Sequence, residues 1–218
     1  MNKVTTDQIK NLFSLPLNKL VFKAQKVHKE NFEEGDVQLA SLISIKTGSC
    51  PEDCKYCPQS AHYNVNLKKE SLLDVSEVKK AAQLAKQNGA HRFCMGAAWK
   101  KLNDGKDLDS VIEMIKEVKS LDLEACVTLG SISQDQAEKL KNAGLDAYNH
   151  NIDTSPDFYK KIITTRTFEE RLQTIKNVRE AGISVCSGGI IGMGESWEDR
   201  AEMLEVLANL EPQPESVP

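Results

Sequence analysis

A chain of 218 residues is long enough to bury one large core or two small ones. Its 40% hydrophobic and 28% charged residues place it with ordinary globular proteins rather than disordered or fibrous ones. The 28 Lys and Arg against 32 Asp and Glu leave a formal net charge of -4, which gives no electrostatic footprint for nucleic acid or an anionic membrane.

The longest apolar stretches are strand-length and interrupted, far from the roughly 20 apolar residues of a membrane span. Residues 1–10 lack both the apolar core of a signal peptide and the Arg-rich pattern of a transit peptide, so a cytoplasmic protein is expected. Thiols stay reduced there, and the six cysteines read as metal ligands or reactive groups rather than disulfides.

No linker, low-complexity tract or charge run divides the chain, which reads as a helical segment over 1–36 followed by one β/α unit over 37–218. Segments 6–15 and 17–31 carry helical apolar spacing. After the turn signal Glu34-Gly35-Asp36, residues 37–45 form a charge-poor run that reads as a buried first strand. A helix from about residue 76, capped by Asp74 or Ser76 and stopped at Asn88-Gly89, leads into a strand at 91–95. The alternation repeats: helices at 108–120, 134–143 and 168–181 precede strands at 124–129, 146–149 and 184–187, and a last helix spans 197–207.

Strand and helix in strict alternation predict a parallel sheet, because each crossover must return the chain to the same end. A doubly wound sheet would carry a Gly-rich turn after the first strand, and here that loop is Cys-rich. The expected fold is therefore α/β, a parallel (β/α) TIM-type barrel. A full eight-unit barrel takes about 250 residues, whereas this sequence offers five clear strands after its first 36 residues. An incomplete barrel is expected, with Pro212-Gln213-Pro214-Glu215-Ser216-Val217-Pro218 leading towards another strand.

The first loop contains Cys50-Pro51-Glu52-Asp53-Cys54-Lys55-Tyr56-Cys57, a C-x3-C-x2-C spacing. Three clustered thiolates suit an iron–sulfur cubane whose fourth iron stays open to a ligand. The competing reading is structural zinc, which would need a fourth donor such as His62. Cys94, Cys126 and Cys186 sit in or at the end of three separate predicted strands. Each is taken singly a small buried hydrophobe, but inward-facing cysteines of neighbouring barrel strands could also converge on one cluster.

Tyr148-Asn149-His150-Asn151-Ile152-Asp153-Thr154 gathers amide, imidazole and carboxylate groups at a strand end, where barrel active sites form. A plain turn entering a helix at Thr154-Ser155-Pro156 is the alternative. The later run Gly188-Gly189-Ile190-Ile191-Gly192-Met193-Gly194-Glu195 lacks the Lys-Ser/Thr pair of a phosphate loop, and its glycines could serve only tight strand-to-helix geometry.

Lys46-Thr47-Gly48-Ser49 before the cysteines and Pro58-Gln59-Ser60 after them resemble the biotin synthase family within the radical S-adenosylmethionine superfamily. So do the segments around Cys94, Cys126 and Cys186 and the string 148–154, and the resemblance runs from about residue 10 to 218. It implies that Cys50, Cys54 and Cys57 hold a [4Fe–4S] cluster and that Cys94, Cys126 and Cys186 hold a [2Fe–2S] cluster, the source of the inserted sulfur. Further implied contacts to S-adenosylmethionine are Tyr56 and backbone near Ile190 at adenine, Asn151 and Asp153 at ribose, and Arg171 at the methionyl carboxylate. Arg171 could equally be an exposed helix residue. Asn151 would also meet the cyclic urea of dethiobiotin, the implied substrate, into which sulfur is inserted between C6 and C9 to give biotin. A reduced flavodoxin- or ferredoxin-like protein is the implied electron donor, and the resemblance allows a homodimer. The family's fourth ligand to the second cluster, a later arginine, would follow Pro218, so little turnover is expected from these 218 residues. Two other readings share the first motif: a different enzyme of the group, such as a hydrogenase maturase, and a noncatalytic iron–sulfur module.

Overall fold

The computed structural model describes residues 3–33 and 35–218, so Glu34 of the expected turn lies outside the described residues. Helices α1 (Thr6–Phe13) and α2 (Leu17–Asn31) come first. Thr5 and Gln8 form a reciprocal cap on α1, each side chain satisfying the other's backbone N–H. Helix α2 matches its apolar spacing at both ends, yet buries none of its residues.

The remainder alternates as expected: β1 (Ala40–Lys46), α3 (Val75–Gln87), β2 (Arg92–Ala97), α4 (Lys106–Lys119), β3 (Glu124–Thr128), α5 (Gln134–Asn142), β4 (Ala147–Asn149), α6 (Pro156–Ile162), α7 (Phe168–Glu180), β5 (Ser184–Cys186) and α8 (Trp197–Ala208). Side-chain caps at Ser133, Thr167 and Ser196 start α5, α7 and α8. Helix α6 grows from the entry at Ser155, whose hydroxyl accepts the Phe158 N–H at 3.1 Å, with Pro156 in the first turn. Among the described residues no helix is long and apolar enough to cross a membrane.

All neighbouring strands are parallel, and the spatial order β1-β2-β3-β4-β5 is the chain order. A doubly wound sheet would reverse order at a switch point. Unbroken order is the winding of a barrel wall. Beyond β5, Glu215 N–H donates to Val185 O at 3.1 Å and Ser187 N–H to Ser216 O at 3.0 Å, so the expected lead towards another strand runs parallel beside β5.

One expectation is corrected. The first strand is not buried: of its residues only Ile45 is fully enclosed, and Leu42 is 73% exposed. Its composition marks a strand, but burial on both faces requires a packed layer over each, and the face of this edge strand that carries Leu42 is left uncovered.

Side chains alternate across the sheet. Phe93 and Met95 of β2 and Ala125 and Val127 of β3 join Val78, Val111, Met114 and Ile115 in the core under the helices. Each large apolar side chain enclosed there stabilises the fold by about 1.5–3 kcal/mol. The other face is concave. On it, register aligns Leu42, Cys94, Cys126, Ala147 and Ser184 in one row, with Ser44, Gly96 and Thr128 in the next.

The loops after β2 and β3 touch, with Ser131 N–H donating to Lys100 O at 2.9 Å and Leu102 N–H to Ser131 O at 3.1 Å. Gly130 permits the approach: its φ is 76°, and a Cβ there would collide with the carbonyl oxygens of Trp99 and Lys100. Gly182 has a similar φ of 71° but open space around it. Gly182→Ala should therefore cost only the backbone term, about 1–2 kcal/mol, and Gly130→Ala a further ~1–3 kcal/mol from overpacking. Urea unfolding of both variants checks this, and equal losses would contradict it.

Candidate active site

The loop leaving β1 turns through Gly48 and Ser49, both at positive φ (74° and 58°), and closes on itself. Cys50 N–H donates to Gln59 O at 2.9 Å, Ala61 N–H to Cys50 O at 2.8 Å, and Cys57 N–H to Cys54 O at 3.0 Å. Cys50 and Cys54 are buried and Cys57 half-buried, all as free thiols. Burial pushes the Cys50 thiol up, and the Cys54 thiol up to about 12 against the opposing pull of Arg171. His62, the fourth zinc donor of the alternative reading, is exposed, with Nε2 3.1 Å from the carbonyl of Pro51.

A distant segment fixes this loop. Asp53 Oδ1 accepts the N–H groups of Thr164 at 2.8 Å and Thr165 at 3.1 Å and the Thr165 hydroxyl at 2.9 Å, while Asp53 N–H donates back to Thr165 Oγ1 at 3.1 Å. Desolvation raises the Asp53 pKa, but the Thr164 and Thr165 donors outweigh it and hold the carboxyl below its usual 3.8.

The three cysteines line a cavity of about 310 Å³ at the C-terminal ends of the strands, together with Tyr56, Asn151, Asp153 and Arg171. Arg171 is a buried residue of α7, which overturns its reading as an exposed helix position. Its Nε donates to the Tyr159 hydroxyl at 2.9 Å, and its Nη2 lies 2.7 Å from Asp153 Oδ2 and 4.0 Å from Cys54 Sγ. The Asp153 contact is an ion pair without hydrogen-bond alignment, so Oδ2 remains a buried acceptor with no donor. Burial raises the Asp153 carboxyl, with Arg171 opposing. His150 also lines the cavity, and burial first, then Arg171 and Arg166, hold it neutral, with its Nε2 lacking a partner.

Asn151 Oδ1 accepts the Gly188 N–H at 3.1 Å, and Ile190 N–H donates to Asp153 O at 2.8 Å. Ile190 thus touches the backbone of Asp153 but stands outside the cavity wall. At Gly189 a Cβ would run into Met203 and the Asp153 carbonyl, so part of this glycine run serves close packing.

Cys94 and Cys126 are direct register partners on the concave face, and Cys186 pairs in register with Asn149, whose Nδ2 donates to Cys186 Sγ at 3.3 Å. Cys126 is buried and the other two are half-buried. A hydrogen bond between Cys94 and Cys126 lowers the Cys94 thiol and raises that of Cys126, which burial also raises. None of the three lines the cavity itself; they sit on the sheet surface beside it.

The sequence profile of the Radical SAM superfamily matches residues 44–207, from β1 through α8. This chain belongs to the radical SAM superfamily. Biotin synthase of Idiomarina loihiensis is 59% identical over 217 residues, covering 100% of this chain and 63% of the relative. Biotin synthase of Cupriavidus pinatubonensis is 59% identical over 212 residues, covering 97% of this chain and 62% of the relative. The chain therefore spans less than two thirds of the length of these relatives. Among solved structures, methylornithine synthase superposes with a TM-score of 0.81 at 19% identity, over 99% of this chain and 63% of its own, a likeness of fold.

Membership of the radical SAM superfamily implies S-adenosylmethionine and iron–sulfur chemistry, and the cavity suits both. Its wall supplies three soft sulfur donors, the buried ion pair of Arg171 with Asp153, and a buried His150 nitrogen without a hydrogen-bond partner. Among the described residues no three Cys, His, Asp or Glu side chains gather about a single ion. A cubane instead takes one thiolate per iron, which separated cysteines can provide.

Sequence reading missed Glu52, Asp53, Lys100, Thr164, Thr165 and Arg166. Their only signal was the placement of Glu52-Asp53 between two of the cysteines. Because the Asp53 pKa is depressed in the fold, its contribution is complete above 3.8 and disappears as pH falls through the folded value. Asp53→Asn should reduce stability at neutral pH and flatten the acid limb of the stability curve below about pH 4. Denaturant titrations from pH 2.5 to 7 measure this, and an unchanged acid limb would count against the anchor.

Proposed function

We propose that this chain carries the cluster and cofactor site of a biotin synthase, inserting sulfur between C6 and C9 of dethiobiotin to yield biotin. The observation that carries the reading is the coexistence of two thiol sets. One lines the cavity from the first loop, and the other lies on the concave sheet face beside it. A radical enzyme without sulfur insertion needs only the first set, and the identity to biotin synthases along the whole chain supports the second.

In this reading Cys50, Cys54 and Cys57 hold a [4Fe–4S] cluster, and Cys94, Cys126 and Cys186 contribute to a [2Fe–2S] cluster. When bound, the first cluster and S-adenosylmethionine supply the electron and the 5′-deoxyadenosyl radical that remove hydrogen from the substrate carbons. The protein's task is to bind, orient and exclude water. Arg171, held by Tyr159 and Asp153, offers its guanidinium to the methionyl carboxylate. Tyr56 and the backbone at Ile190 flank adenine, and Asp153 serves the ribose hydroxyls. Asn151 can present its amide N–H to the urea carbonyl while its oxygen stays on Gly188 N–H, so a neutral ligand is met without burying a new charge. A reduced flavodoxin- or ferredoxin-like donor, a cytoplasmic location and a homodimer complete the proposal.

Single Ser substitutions separate the two thiol sets. At Cys50, Cys54 or Cys57 they should abolish reductive S-adenosylmethionine cleavage. At Cys94, Cys126 or Cys186 they should leave cleavage intact and remove the [2Fe–2S] absorption. Anaerobic cleavage assays with iron and sulfide counts decide this, and continued cleavage in any of the first three would refute the assignment.

A further inference from the structure

Glu52 and Arg166 take no part in the chemistry above, yet they are 5% and 4% exposed and line the same cavity as the loop cysteines. Glu52 lies between Cys50 and Cys54 in the chain. Its Oε2 is 3.1 Å from the Thr165 hydroxyl. Its Oε1 faces two cations, Arg166 Nη2 and Lys100 Nζ, each at 3.6 Å. That is ion-pair range but beyond a hydrogen bond, and both Glu52 Oε1 and Arg166 Nε are buried with no hydrogen-bond partner. Arg166 Nη2 donates to the Lys100 carbonyl and Lys100 Nζ to the Thr165 carbonyl, which ties the loops after β2 and α6 together.

A folding staple has no need of such a pair. Asp53 already pins the loop to Thr164 and Thr165 through well-directed hydrogen bonds. A buried ion pair that leaves polar atoms unsatisfied is poor evidence for stabilisation and calls for another explanation. Arg171 and Asp153 balance each other, whereas Glu52 with Arg166 and Lys100 leaves a positive surplus beside the cysteines.

We propose that Glu52 and Arg166 are positioning residues that hold the Cys50–Cys54 span in place and set, with opposite sign, the reduction potential of the iron–sulfur cluster carried there. The inference rests on the assignment of that cluster to Cys50, Cys54 and Cys57. Reduction adds negative charge to the cluster, so a neighbouring cation favours the reduced state and a neighbouring anion opposes it.

The test is a redox titration of the anaerobically reconstituted chain, read by electron paramagnetic resonance of the reduced cluster, together with the rate of cluster loss to a ferrous chelator. Glu52→Gln should raise the midpoint potential and Arg166→Met lower it, with Arg166→Lys close to the parent. Cluster loss should accelerate about tenfold or more in the first two, the scale on which partners of metal ligands act. Potentials that shift the same way, or not at all, in clustered Glu52→Gln and Arg166→Met chains overturn the inference, since a merely structural role predicts no opposed shift. If Arg166→Met does not fold, Glu52→Gln must still raise the potential while Arg166→Lys leaves it, and the absence of that rise is equally fatal. Cys50→Ser is the control. If it keeps the same cluster signal, the cluster assignment itself fails; if it loses the signal while Glu52→Gln and Arg166→Met titrate like the parent, only the positioning role fails.

Discussion

Five strands that all run in one direction deliver their C-terminal ends to one rim, and the cavity exists because of it. The cysteine loop leaves β1 there, Trp99 and Lys100 follow β2, Gly130 follows β3, Asn151 to Asp153 follow β4, and the Gly188-Gly189 turn follows β5. Parallel pairing forces each helix to carry the chain back along the outer face, so no loop of the opposite end can intrude. The groups that meet in the cavity come from segments far apart in sequence but adjacent in register.

Charge is handled differently in the two halves of that cavity. Arg171 and Asp153 are enclosed together, with Tyr159 holding the guanidinium from the side. Removing either partner would strand a buried charge, an effect far larger than the net worth of the pair. Glu52 sits opposite two cations with an oxygen lacking a hydrogen bond, a less settled arrangement in the cavity that the loop cysteines also line. Asp53, its neighbour, does the mechanical work through five oxygen and nitrogen contacts to Thr164 and Thr165.

The concave face shows how a sheet can prepare a second thiol site without a dedicated loop. Register sets Cys94 beside Cys126, and Cys186 beside Asn149 one layer nearer the rim. The closeness of the first two lowers the Cys94 thiol and raises that of Cys126, which burial raises further. Leu42 completes the row of Cys94 on the exposed β1 edge, so this face is open on one side.

Local signals were enough for the elements. Apolar spacing gave α2 its observed ends, glycines marked the stops after α3, α5 and α7, and the C-x3-C-x2-C spacing set the loop after β1 apart, because each of these depends on residues within a few positions of one another. The strand cysteines were readable as a set, but not their arrangement into layers, which is a property of register. Nothing local could distinguish the edge strand β1 from a buried one, or Arg171 on an inner helix face from an exposed arginine. The anchoring of Asp53 to Thr165 spans 112 residues, and the pairing of Glu52 with Arg166 is of the same kind. Sequence by itself determined which segments become helix or strand and which thiols share one loop; only tertiary structure decided which charges are buried together, because burial and ion pairing are set by neighbours in space.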